Sequence, residues 1–73
     1  MAAVTIYVYL LNEGVDVWRA VQATRLSEEV FQINPSVVVP DGEQWRFQPG
    51  QQVRCRWRSF ADGEGLEAFE VAV

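Results

Sequence analysis

The clearest hydrophobic pattern along the chain is at residues 53–58, where Val53, Cys55 and Trp57 alternate with Arg54, Arg56 and Arg58. That two-residue period predicts a strand with an apolar inner face and a cationic outer one. Near the start, Val4, Ile6, Val8 and Leu10 alternate with Thr5, Tyr7, Tyr9 and Leu11. Both sets are largely apolar, so this strand is expected at the centre of the sheet, covered on both sides. In the last segment the odd positions Phe69, Val71 and Val73 offer an inner face matching that of 53–57, so residues 52–73 read as a hairpin. Trp45 and Phe47 flank Arg46 in the same alternating way.

Two readings stay open for residues 15–33. Ala20, Gln22, Ala23, Arg25, Leu26, Glu28 and Glu29 suit or tolerate a helix. Against that, Val15, Val17, Val21 and Ala23 share one strand face, and no capping box opens the segment. The strand reading turns Ser27-Glu28-Glu29 into a polar reversal leading into Val30–Ile33. Residues 34–44, with Pro35 and Pro40 around Val37–Val39, then form a long connection or a short edge strand. Glycine and proline mark four reversals: Asn12-Glu13-Gly14, Pro40-Asp41-Gly42, Gln48-Pro49-Gly50-Gln51 and Asp62-Gly63-Glu64-Gly65. The first suits a three-residue hairpin, the second a turn with Pro40 at its first central position, and the third a type II turn.

Short strands separated by these turns predict an all-β domain of five mostly antiparallel strands, with an α+β fold carrying a helix within 16–30 as the alternative. The chain has 73 residues, which is one domain spanning 1–73. By strand count and turn spacing the pattern is similar to a compact SH3-like barrel or roll. The blocks Asp16-Val17-Trp18-Arg19-Ala20-Val21, Trp45-Arg46-Phe47-Gln48-Pro49-Gly50 and Val53-Arg54-Cys55 resemble those of a group of small uncharacterised bacterial proteins, across most of the chain. Members often carry proline where this chain has Ala20; a proline there would favour an extended segment, whereas the alanine of this chain leaves the helical reading open. The group brings no activity with it, and fold analogy alone assigns no function.

Composition narrows the chemistry. There is no histidine, all six cations are arginine, and Cys55 is the single cysteine. Imidazole bases, histidine metal ligands, Schiff-base lysines and internal disulfides are therefore excluded, and the chain carries neither a GxxxxGK nor a GxGxxG run. The expectation is a non-enzyme without cofactor or metal. A lone thiol and the lack of a leader-like N-terminus predict a cytoplasmic protein, and the longest apolar run falls well short of the roughly 20 residues that span a bilayer. The net charge of −4 disfavours general affinity for nucleic acid or anionic lipid. Strand alternation points Cys55 away from its neighbouring arginines, so it is expected as a small core residue and not as a nucleophile.

Two features remain as candidates for binding. Arg54, Arg56 and Arg58 place half of the cations on one face of one strand at roughly 6.8 Å spacing. Such a row suits bidentate contacts to a partner's carboxylates or to phosphates, unless Glu70 or Glu43 neutralises it within the fold. Among the aromatics, Trp57 is expected in the core, Trp45 in the core or at its rim beside Arg46, and Trp18 partly exposed as an anchor. The function these features imply is a non-catalytic protein-interaction module or small regulatory adaptor, its site drawn from Arg54, Arg56, Arg58, Trp18, Trp45 and Arg46. Self-association as a homodimer is one form of it. Single-stranded nucleic-acid binding, with arginines on phosphate and an exposed tryptophan stacked on bases, is the alternative.

Overall fold

A computed structural model describes residues 3–61 and 63–72 of the chain. Five strands are present: β1 (Val4–Tyr9), β2 (Trp18–Arg25), β3 (Val30–Ile33), β4 (Gln52–Phe60) and β5 (Gly63–Val71). Neighbours in sequence pair antiparallel, and a parallel contact centred on Tyr7 and Glu67 joins β1 to β5, closing the sheet into a ring. The strand reading of 15–33 therefore holds, with the bend Ser27–Glu29 between β2 and β3. Among the described residues no helix is long and apolar enough to cross a membrane.

Period-two alternation sends one face of each strand inward. Ile6 and Val8 of β1, Val21 and Ala23 of β2, Phe31 and Ile33 of β3, Val53 and Cys55 of β4 and Ala68 of β5 are all buried. The core is completed from the long connection between β3 and β4, which contributes Trp45 and Phe47, each under 5% exposed. Two hydrogen bonds hold that connection along the end of β1, from Leu11 N to Gln44 O at 2.7 Å and from Arg46 N to Tyr9 O at 2.9 Å. Trp45 and Phe47 are thus core residues delivered by a loop, which forms no strand and carries the isolated bridge Leu10↔Trp45. Removing the ring of Phe31, which is 1% exposed, would cost about 3–5 kcal/mol. That is most of the stability a domain of this size commands.

Several local expectations are corrected. β2 begins at Trp18, so Val15 is 70% exposed in the loop before it. The reversal before β2 spans residues 11–16 and is closed by Leu10 N donating to Val17 O at 2.9 Å, which makes it longer than a three-residue hairpin. Glu43 N donates to Pro40 O at 3.1 Å, placing Pro40 at the first position of its turn and not at the first central one. Gln51 N donates to Gln48 O at 3.1 Å and Gly50 has φ +89°, the type II turn that its glycine permits. The β4–β5 reversal falls between the paired residues Phe60 and Gly63, with Asp62 outside the described residues.

The hairpin departs most from simple alternation. Arg54 pairs with Glu70 but Cys55 with Ala68, so Phe69 is an extra residue in β5. This bulge puts Ala68 inside and leaves Phe69 half-buried, while Val71, opposite Val53, is 43% exposed, so the inner face expected of Phe69, Val71 and Val73 is broken. Val73 lies outside the described residues. Trp57, expected in the core, is 70% exposed. It keeps the parity of Val53 and Cys55, but by that point β4 has run past β3, whose pairing with it ends at Arg54.

Gly65 sits inside β5, where a side chain would have no room: an added Cβ would lie 2.5 Å from Cε2 of Tyr7 and 3.4 Å from Phe60. Gly65→Ala is expected to destabilise the fold by roughly 1–3 kcal/mol, since the Tyr7 ring must move while Phe60 packs against it. A thermal melt checks this, each kcal/mol corresponding to about 4–8 °C in a domain of this length. Burial, reinforced by the nearby Glu67 carboxylate, pushes the Cys55 thiol up from its ordinary 9.0 to about 12. The folded state therefore holds the thiol proton more tightly than the unfolded chain. Stability from this site is complete below pH 9.0 and declines as pH rises towards about 12. At pH 8 a disulfide reagent such as DTNB is expected to label Cys55 only in denaturant; rapid labelling of the folded protein would contradict the burial.

Candidate functional site

The outer face of the ring carries a cluster of aromatic rings assembled from three strands. Alternation puts Tyr7 and Tyr9 on the face of β1 opposite Ile6 and Val8, and the β1–β2 register places Trp18 across from Tyr9. Phe60, at the end of β4, comes alongside through the β1–β5 closure. Ring centroids are 4.7 Å apart for Tyr7 and Phe60, 5.3 Å for Trp18 and Phe60 and 5.3 Å for Tyr9 and Trp18, the last two pairs edge-on. Such tilted pairs add about 0.5–1.5 kcal/mol each beyond their buried area.

Arg58 reaches over this cluster. Its guanidinium carbon is 4.6 Å from the Trp18 centroid and 5.9 Å from that of Phe60. A cation over an aromatic face is held by the ring quadrupole, by about 0.5–1 kcal/mol where solvent reaches it. The rings and Arg58 line a cleft of about 520 Å³, with Asp16 and Glu64 as exposed carboxylates in the same lining. Asp16 accepts a hydrogen bond from the Tyr9 hydroxyl at 3.0 Å, which raises the Tyr9 pKa. Neither Asp16 nor Glu64 has a cationic partner among the described residues. The indole Nε1 of Trp18 is buried and has no acceptor there either. A buried donor left unpaired costs about 1–3 kcal/mol, so a ligand carbonyl or carboxylate that reached it would recover that penalty.

The arginine row is engaged within the fold. Arg54 pairs with Glu70 at 3.1 Å, and Glu67 takes both Arg56 at 3.2 Å and Arg58 at 3.5 Å. The register explains this, since Arg54 lies opposite Glu70 and Arg56 opposite Glu67. Arg56 also lies 4.4 Å over the Phe69 ring. Glu67 is only 8% exposed, a buried carboxylate made tolerable by two guanidinium groups. Glu43, the other acid considered for the row, pairs instead with Arg19 and accepts from Trp45 Nε1 at 2.9 Å; Arg19 and then Trp45 hold its carboxyl below the usual range.

Of the residues singled out from sequence, the structure brings Trp18 and Arg58 together. Arg56 and Arg54 follow along the same strand face, facing Glu67 and Glu70. Trp45 is 3% exposed and belongs to the core, while Arg46 projects from the long connection with its guanidinium 5.3 Å over the Phe47 ring. Tyr7, Phe60, Asp16 and Glu64 were not among the candidates. One signal points to them: a glycine inside a strand marks a close approach, and Gly65 lies within β5 and not in the turn expected at Asp62-Gly63-Glu64-Gly65. Among the described residues no group of three or more Cys, Asp and Glu side chains is placed to hold a metal ion. Comparisons with protein-family models, with curated proteins and with solved structures find no match to this chain, so its own geometry carries the functional reading.

Proposed function

We propose that this chain is a non-catalytic protein-interaction module with an SH3-like roll, and that the cleft at Trp18 receives a short extended segment of a partner protein. The observation that carries this reading is the grouping of Tyr7, Trp18 and Phe60 around a cleft of about 520 Å³, where the buried indole N–H of Trp18 has no partner among the described residues. An extended or polyproline-type segment suits such a surface. It offers flat apolar side chains to the rings and unpaired carbonyl oxygens to a donor, and it loses little entropy on binding.

Charge selects the kind of segment. Glu67 and Glu70 already engage the arginine row, which weakens both an acidic partner and a phosphate backbone as its ligand. The unpaired carboxylates in the cleft lining are Asp16 and Glu64, and they favour a Lys or Arg beside the apolar residue that enters the cleft.

Selection of displayed peptides on the immobilised protein tests this reading. Enriched peptides are expected to carry proline or another apolar residue next to a basic one. Their affinity should fall at least tenfold in Trp18→Ala, equivalent to about 1.4 kcal/mol, with a smaller loss in Trp18→Phe, which keeps a ring but removes the donor. Absence of enrichment, equal affinity for Trp18→Ala, or recovery only of oligonucleotides whose binding collapses with salt would overturn it.

A further inference from the structure

We propose that the partner segment seated at the Trp18 cleft is held as an added β-strand along the open edge of β4 beyond Cys55, and that this segment is basic at both ends and uncharged between them. The inference rests on the reading that the cleft receives an extended segment, and adds how the segment is held and which residues it carries.

The edge is set by the shortness of β3. β3 pairs with β4 only through Gln52, Val53 and Arg54, and Cys55 N donates to Glu29 O at 2.9 Å just beyond. From Arg56 onward β4 is paired on one side alone, with β5. Backbone groups alternate in direction along a strand, so the N–H and C=O of Trp57 and Ser59 point the same way as the N–H of Cys55, towards the side that β3 has left. No backbone partner for them occurs there among the described residues. An edge of this kind is a template for another strand, and an extended peptide that adds to it gains main-chain hydrogen bonds while pockets for its alternate side chains supply selectivity.

Both ends of this edge open onto clefts. Arg58, Ser59 and Phe60 belong to the lining of the cleft at Trp18. At the Cys55 end, Trp57, Leu66 and Phe31 line a second cleft of about 350 Å³. Trp57 is 70% exposed and lies opposite the half-buried Leu66. The side chains of an added strand alternate between two faces, so one set lies beside Arg56 and Arg58 and the other beside Trp57, where an apolar residue would cover the indole ring.

Charge chooses the occupant. At the Cys55 end Glu28 and Glu29 face a single cation, Arg25, whose guanidinium donates to the backbone oxygens of Ser27 at 3.1 Å and Glu28 at 2.9 Å. At the Trp18 end stand Asp16 and Glu64. None of these four carboxylates has an ion-pair partner among the described residues. Each end is thus negative, while in the middle Arg56 and Arg58 share the one carboxylate of Glu67. A basic residue is attracted to either end and repelled between them, and an acidic segment is repelled at both ends. From Cys55 to Phe60 a strand advances about 17 Å, which sets the two basic residues about five positions apart.

The probe is a capped hexapeptide with arginine at each end and valine alternating with threonine between. Its affinity for the full chain is read by NMR titration, and amide hydrogen exchange with and without it reads which backbone groups it covers. Exchange at the amides of Trp57 and Ser59 is expected to slow at least tenfold at saturation. Affinity should fall at least tenfold in Trp18→Ala, and likewise when glutamate replaces both arginines of the probe. N-methylation of one alternate set of probe amides should abolish binding, whereas methylation of the other set should change it by less than about twofold. Weaker binding in Trp18→Ala with the Trp57 and Ser59 amides exchanging as in the free protein would overturn the added strand and leave the cleft reading intact. Binding indifferent to Trp18→Ala would overturn the cleft reading and this inference with it. No binding at about 1 mM probe, equal binding of the glutamate form, or equal affinity of the two N-methylated forms would overturn the added strand as described.

Discussion

Closing five short strands around so small a core forces β1 and β5 together, and the missing side chain at Gly65 permits it. Where a Cβ would stand 2.5 Å from Cε2 of Tyr7, the bare backbone of β5 lets the tyrosine ring lie against it. The ring of strands and the cluster of aromatic rings are thus one arrangement. With Tyr7 seated on Gly65, Phe60 packs at 4.7 Å from it, and Trp18 packs edge-on against Phe60. Aromatic cover over a strand glycine is a known means of stabilising a position that lacks its own side chain. Here the cover is also the lining of the cleft.

Charge is arranged around a second economy. The protein carries a net charge of −4 while exposing an arginine row, and the two facts are reconciled by register: the acids of β5 stand opposite the arginines of β4. Glu67, nearly buried, serves Arg56 and Arg58 together. A buried charge must be paired to be tolerable, and replacing either partner of such a pair costs more than the pair contributes. Arg58 is therefore held from beneath by a carboxylate and from the side by the Trp18 ring. Its role at the cleft is to shape and fix the aromatic surface, with little free charge left to attract an acid.

Much of this was legible in the sequence where a pattern is local. The alternation at 53–58 located β4, the two apolar series at 4–11 located β1, and Gln48-Pro49-Gly50-Gln51 announced its turn, because each depends on residues adjacent in the chain. The features that escaped depend on what lies opposite. The bulge at Phe69 arises from a mismatch between β4 and β5 and shifts the inner face from Phe69 to Ala68, which one strand read alone does not reveal. Trp57 has the parity of a core residue, and only the extent of the other strands decides that the core ends before it. Trp45 and Phe47 alternate like a strand but are carried inward by a loop, since alternation reports which side chains share a face and not whether a neighbouring strand exists. The partial exposure of Trp18 was foreseen from its face. The rings that make it a cleft come from β1 and β4, distant in sequence.

The overhang of one hairpin connects these exceptions. β4 and β5 each run for 9 residues, against 6, 8 and 4 for β1, β2 and β3. A hairpin longer than the ring it helps to close must leave its far half without a core, and that half has two faces. On the outer face Arg58 and Phe60 meet Tyr7 and Trp18, and a cleft results. On the inner face Trp57 has Leu66 opposite it but stays 70% exposed, beside a strand edge that β3 leaves unpaired. A domain of this size can spare little apolar burial, because its stability is a small difference between large opposing sums. Strand length spent beyond the core is therefore a cost to folding that an occupant of either face would offset.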